Sequence, residues 1–292
     1  MGAPTNVSPL NKRVEAADWA IWAVLLLVFF ITAYPFFYVL SLSVMPYEEY
    51  VKRAIHALPA GFTLLYFQQI LGNASLVNAF GVSIAKTLVG TTISVVVTVM
   101  AGYALSRPQL RYGKLLTALF IIPIFVGGGL IPTYLNIRNL GLLNTFWALV
   151  LPTAVSPFYL LIVRSHFVDY PQELVEAATI DGARPFGVFW RVVWPTSTPI
   201  IATMAMLYGV AQWNEYFWPS ILVQQNLQPA SVLLQNMVTN RSVLLGLGVG
   251  IQMAPQSFIA AVAAVLIIPV LVVYPFLQRY VVTGILVGSV KG

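Results

Sequence analysis

Between successive charged residues the chain runs for long uncharged stretches. Six of them are long enough to matter: Trp19 to Tyr47, Thr87 to Ser106, Leu115 to Ile137, Asn139 to Val163, Val192 to Asn214 and Ser242 to Gln278. A helix needs ~20 apolar residues to cross a hydrocarbon core ~30 Å thick. Trimmed or extended at their ends, the stretches predict six helices at about 19–45, 84–106, 115–137, 142–164, 196–219 and 257–278. The last begins late because Gly246, Gly248, Gly250, Gln252 and Pro255 are turn-like. Pro35, Pro123, Pro132, Pro152, Pro269 and Pro275 lie in or at the ends of spans and predict kinks or breaks. The first stretch follows Lys12 and Arg13 as a signal peptide would. It exceeds the h-region length of about 7 to 15 residues, and no small-x-small site follows, so it is expected to stay. The fold class is therefore an all-α membrane protein, with residues 1–292 forming a single transmembrane domain.

Composition agrees. Of 292 residues, 59% are hydrophobic and 8% are charged, where a soluble domain carries about 25% charged residues. So few charges cannot cover a soluble surface, and a disordered chain needs the opposite bias. The net charge of +6 would suggest a polyanion if it were clustered. It is not. With both termini cytoplasmic, ten basic residues (Lys12, Arg13, Arg107, Arg111, Lys114, Arg164, Arg184, Arg191, Arg279, Lys291) fall inside and five (Lys52, Arg53, Lys86, Arg138, Arg241) outside. That is the positive-inside asymmetry. No nucleic-acid partner is expected. Cysteine is absent, which removes disulfides and thiolate sites. Lys86, about one turn inside its predicted span, is expected to snorkel outward as an interface anchor.

Three segments lie outside the spans. The first, Pro46 to Asn78, carries Glu48, Glu49, Lys52 and Arg53 and a Thr63-capped helix expected to lie along the membrane. Another, Ile221 to Ala254, is rich in Gln and Asn and almost uncharged. It suits a partner or a sugar, and equally an ordinary solvated loop. Between spans four and five, residues 165–195 form the most informative segment. Asp169, Tyr170 and Pro171 open a short cytoplasmic helix with a capping carboxylate, and Gly182 stops it. Glu173 and Glu176 project from it, and Ala177 and Ala178 offer a small, flat surface for close approach of another protein.

Glu176-Ala177-Ala178, three residues, Gly182, nine residues, Val192, one residue, Trp194-Pro195 resembles the EAA signature of permease subunits of binding-protein-dependent ABC importers. Val192 and Trp194 stand where that signature has Ile and Leu. Trp213 to Pro219 and Gly102 to Arg107 resemble segments of the carbohydrate-importing branch. Within it the six-span form is similar to the smaller maltose-type permease, and to relatives importing oligosaccharides and acidic polysaccharides such as alginate. The resemblance implies a type I importer transmembrane domain in the bacterial cytoplasmic (inner) membrane, one half of a translocation path. It also implies a homologous second permease, an ATPase subunit dimer holding ATP and Mg, and an extracytoplasmic solute-binding protein as partners of the lipid-embedded chain.

The chain has no phosphate-binding loop, because Gly113-Lys114 is followed by Leu115. It therefore needs no cofactor of its own and is not expected to be an enzyme. ATP hydrolysis must then act through a contact, and Glu173, Glu176, Ala177, Ala178, Asp181 and Gly182 are the ATPase-coupling candidates, with Glu176 facing a basic residue. Tyr208, Gln212 and Glu215 fall on one face of span five with Asn214 beside them, as candidates for the substrate path. Trp213, Tyr216 and Trp218 would stack on sugar rings. Polar glue between helices with an aromatic interfacial belt explains the same residues. For an acidic substrate, Lys86 and Arg164 are the cations near the route. His56 and His166 fall on opposite sides of the membrane in this topology, so no shared metal or acid-base site is expected. A self-sufficient secondary sugar transporter would need coupling carboxylates and a repeat, and a membrane enzyme would need an acid or histidine cluster. Neither pattern is present in the sequence.

Overall fold

Leu, Val, Phe and Ile cover every side of the first predicted span, so it has no polar stripe to turn toward water, and it forms one long helix whose apolar side chains are exposed along most of its length. The computed structural model describes residues 16–52, 61–240, 242–247 and 255–289, and no strand occurs among them. In chain order the helices are α1 (Ala16–Ser43), α2 (Tyr47–Lys52), α3 (Leu65–Gly72), α4 (Ala74–Ser106), α5 (Gly113–Phe125), α6 (Leu130–Asn139), α7 (Trp147–Val150) and α8 (Pro157–Val168). They continue with α9 (Gln172–Ile180), α10 (Pro185–Val188), a π-helical turn at Phe189–Val193, α11 (Trp194–Thr196) and α12 (Thr198–Asn214). The last are α13 (Phe217–Leu222), α14 (Ala230–Thr239), α15 (Ser242–Gly246) and α16 (Pro255–Ser289). His56, Gly248 and Gly250 lie outside the described residues.

The described residues divide into two units, one running to Tyr66 with the start of α16 through Ala264, the other from Phe67 with α16 from Val265 onward. In the first, Leu42, Met45 and Ala260 pack with Tyr38, Val39 and Tyr50. Tyr66 Oη donates to Met45 O at 3.2 Å, and Thr63 N to Val44 O at 2.8 Å, pinning the chain after α2.

The second unit is organised by α4. Asn73 Oδ1 accepts from Ser75 N at 3.0 Å and Leu76 N at 3.1 Å, starting the helix ten residues before the predicted span. Its 33 residues make a rod about 50 Å long. It packs along both α8 and α12. Val95 and Val99 of α4, Val163 and Phe167 of α8 and Met204 and Tyr208 of α12 form the core between them. Close approach rests on glycine: at Gly102 a Cβ would meet Val163 Cγ1 at 2.6 Å.

Three predicted spans are interrupted, the fifth at Glu215 and Tyr216 between α12 and α13. The third breaks at the Gly127-Gly128-Gly129 run, where Gly129 takes a φ of 77° between α5 and α6. In the fourth, α7 and its following turn meet α8 at a bend of 53°. By length and apolarity, α1, α4 and α16 qualify singly as spans and the bent pair as a fourth. α5 has 13 residues and α12 has 17. Pro35, Pro269 and Pro275 do not break their helices. The polar segment after Ile221 is not a free loop through its described length. Ala230, Val232, Leu233 and Met237 of α14 are buried, and Ala230 N donates to Ser83 Oγ at 2.8 Å.

Candidate functional site

Two places in the second unit gather the candidate residues. The first is a cavity of about 300 Å³ lined by Thr153, Val155, Ser156, Tyr159, Tyr208, Ala211, Gln212 and Glu215, at the lower end of ligand-pocket volumes. Tyr208, Ala211, Gln212 and Glu215 follow helical spacing and form one wall. The other wall is the bend before α8. There Ser156 caps the helix through Oγ, which accepts from Tyr159 N at 3.4 Å, and Pro157 follows in the first turn. The capping residue's own N–H donates to Tyr208 Oη at 3.0 Å, and the phenol lies 2.7 Å from Thr98 Oγ1 on α4. Tyr159 meets the Tyr208 ring edge to face at 4.9 Å.

Gln212 is the most informative of these residues. Its Nε2 donates to Thr153 Oγ1 at 3.0 Å, while its buried Oε1 has no hydrogen-bond partner among the described residues. The amide lies flat against Gly90, where a Cβ would stand 2.9 Å from Gln212 Cδ. Glu215 caps α13, its Oε1 accepting from Phe217 N at 2.8 Å and Trp218 N at 3.2 Å.

Several expectations need correction. Asn214 does not line the cavity; it is exposed, and its Nδ2 turns back to Val210 O. Trp213 is buried with Nε1 donating to Leu266 O at 3.0 Å, Trp218 is partly buried against the Leu149 and Leu222 cluster, and Tyr216 is exposed; none of the three lines the cavity. Tyr159 and Tyr208 are the aromatic rings at the cavity. Lys86 is no interface anchor: it is 0% exposed, and its Nζ donates to Gln212 O at 2.8 Å and Glu215 O at 3.1 Å. The end of α12 leaves carbonyls without helical partners, and a cation is the donor that suits them. Arg164 is likewise committed, with Nε donating to Leu105 O at 3.1 Å. Among the described residues, no cationic side chain lines the cavity.

The second place is α9. Glu173, Glu176, Ala177 and Ile180 form its exposed face, with Ile180 85% exposed and Phe186 66% exposed nearby. Val175 and Ala178 turn inward onto the core, so Ala177 and Ala178 do not make one flat surface. Asp169 does not cap this helix; it ends α8, and Pro171 precedes the first turn of α9. Asp181 and Gly182 are exposed at its far end. Gly182 N donates to Thr179 O and Ala183 N to Ala178 O, each at 3.0 Å, with Gly182 at a φ of 83°. This is a Schellman ending, which favours glycine. A Cβ there would meet nothing within 4 Å. The glycine is thus required by backbone conformation within this chain. Gly182→Val should therefore lower stability by about 1–2 kcal/mol or more, and Gly182→Asn should recover most of it, measured as the unfolding midpoint in detergent. Equal loss in both variants would show that space decides instead.

Among the described residues no cluster of His, Cys, Asp or Glu is arranged to hold a metal.

Residues 115–287 match the family described as binding-protein-dependent transport system inner membrane component. LplC of Bacillus subtilis (strain 168) is 37% identical over 266 residues, covering 90% of both chains. The polygalacturonan/rhamnogalacturonan transport system permease protein YtcP of the same organism is 36% identical, over 94% of this chain and 98% of that one. A crystal structure of a bacterial ABC transporter involved in the import of the acidic polysaccharide alginate superposes with a TM-score of 0.84 at 26% identity. It covers 94% of this chain and 99% of its own. With this helical architecture, a type I ABC importer transmembrane fold, the chain belongs to the inner-membrane components of binding-protein-dependent transport systems.

Proposed function

We propose that the chain is the permease subunit of an ATP-driven oligosaccharide importer. It crosses the membrane six times with both termini cytoplasmic, and pairs with a homologous permease to enclose the path. An ATPase dimer holding ATP and Mg docks on the face of α9 that carries Glu173, Glu176, Ala177 and Ile180, while Asp181 and Gly182 shape its end. A solute-binding protein delivers the sugar from the other side. The relative named for polygalacturonan and the neighbour named for alginate support a saccharide cargo.

The observation that carries this reading is the cavity in which Tyr208, Gln212 and Glu215 face Thr153, Ser156 and Tyr159. Across a space of about 300 Å³ these two walls offer polar groups of the kind that hydrogen-bond sugar hydroxyls. Tyr208, Thr153 and Ser156 supply further hydroxyl and amide groups, and Tyr159 an aromatic edge. Without a lining cation, this subsite suits hydroxyls rather than a uronate carboxylate. Uptake of labelled neutral and uronic oligosaccharides by proteoliposomes holding the assembled complex tests the proposal. Gln212→Leu should cut kcat/KM by at least about tenfold, and uptake should require the ATPase partner. Unchanged uptake in Gln212→Leu would remove the cavity from the path.

A further inference from the structure

In sequence α9 lies between the two walls of the cavity, Thr153 to Tyr159 and Tyr208 to Glu215, and one helix holds both α9 and the cavity. α4 supplies no lining residue, but it grips the wall of the cavity at three points: Thr98 beside the Tyr208 hydroxyl, Gly90 beneath the Gln212 amide, and Lys86 on the carbonyls of Gln212 and Glu215. At its other end Arg107 terminates the helix before Pro108, with its N–H bonded to Ala104 O. The Arg107 guanidinium lies 4.1 Å over the Tyr103 ring, and its Nη1 donates to Gln172 Oε1 at 2.6 Å. Gln172 is the first residue of α9. Its Nε2 donates to Tyr170 O at 3.2 Å, which turns Oε1 toward the guanidinium. Tyr103 is itself wedged against Phe167 and Phe189, at 5.4 and 5.3 Å. Arg107 Nη2 is buried without a partner among the described residues, so the Gln172 contact is not one of several equivalent bonds.

We propose that α4 is the connecting rod between α9 and the cavity, and that Arg107 is the positioning residue that fixes α9 to it. The inference rests on the import reading above. A planar guanidinium held between a ring and an amide resists sliding as well as separation. A shift of α9 that keeps the bond must move α4, and α4 holds Tyr208, Gln212 and Glu215 of the cavity wall.

The test uses the assembled complex in proteoliposomes, with the solute-binding protein loaded from a mixture of neutral and uronic oligosaccharides. The readout is the ratio of ATP hydrolysis with and without the loaded binding protein, at equal assembly. Arg107→Ala and Gln172→Ala should each lower this ratio about five- to tenfold, and the double variant should fall no further than Arg107→Ala. Gln172→Glu, which offers a better acceptor, should keep it at the wild-type value or above. A wild-type ratio in Arg107→Ala, or additive losses in the double variant, would overturn the proposal. If Arg107→Ala does not assemble, Arg107→Lys keeps the charge and loses the planar fork; it should show a partial fall, and no fall overturns the proposal. An unstimulated wild-type complex would overturn the import reading instead.

Discussion

Replacing Gly102 with valine should lower the protein's accumulation in the membrane several-fold. A Cβ at this position would stand 2.6 Å from Val163 Cγ1 and 3.1 Å from the backbone nitrogen of Arg164. The second contact is with backbone, so no rotamer change relieves it. Val163 is wholly buried, with its neighbours packed against it. Overpacking a core by small increments costs about 1–3 kcal/mol, and valine adds two methyl groups beyond the Cβ. The loss therefore lies above that range, a large share of a total stability of about 5–15 kcal/mol, and a fall of that size lowers accumulation several-fold. Gly102→Ala should fold with a lowered unfolding midpoint. Gly81→Ala in the same helix, where a Cβ meets nothing within 4 Å, should be tolerated. Immunoblots of isolated membranes and melting in detergent read the series. Normal levels of Gly102→Val would show that α4 and α8 can re-space freely.

The same contact explains why the Gly102 to Arg107 segment is informative in the sequence. Gly102 sets the distance to α8, Tyr103 fills the gap between Phe167 and Phe189, Leu105 O receives Arg164, and Arg107 reaches α9. A motif recognised by its letters becomes a joint where the membrane helix meets the acidic one.

Much of the site was legible in helical spacing. Tyr208, Gln212 and Glu215 share a face by periodicity, and the cavity joins them. The opposite wall was not, because Thr153, Ser156 and Tyr159 come together only through a bend inside what composition reads as one apolar run. The local signal was present in Ser156-Pro157, a cap followed by proline in the first turn. Span three carried its own signal in three consecutive glycines. α4 was read as beginning at residue 84 because charge-free length alone sets no helix start. Asn73, a capping residue followed by Ala74 and Ser75, marks the start ten residues earlier. That difference moves Lys86 from a helix end into the body of α4, and so from the interface into the protein.

Lys86 gives the other large effect. Lys86→Glu should not accumulate, because it sets a carboxylate against the carbonyls of Gln212 and Glu215 at the negative end of α12, with no donor to satisfy either side. Lys86→Met tests the contribution of the cation more finely. It keeps much of the length and removes two charge-assisted bonds, each worth about 1.5–3 kcal/mol. It also removes the desolvation cost of a buried charge, so the net loss is smaller than the sum. Glu215 O keeps Ser231 Oγ as a donor at 3.0 Å, which further softens the change. The expected net loss is about 2–3 kcal/mol, read as a lowered unfolding midpoint. Its effect on uptake should exceed its effect on stability, since the freed end of α12 carries Gln212 and Glu215, two of the residues lining the cavity. An anchor that merely snorkels to the membrane surface behaves differently: methionine or glutamate there would be tolerated alike. Normal accumulation and uptake in both variants would therefore return Lys86 to the interface and leave the α12 carbonyls without their assigned donor.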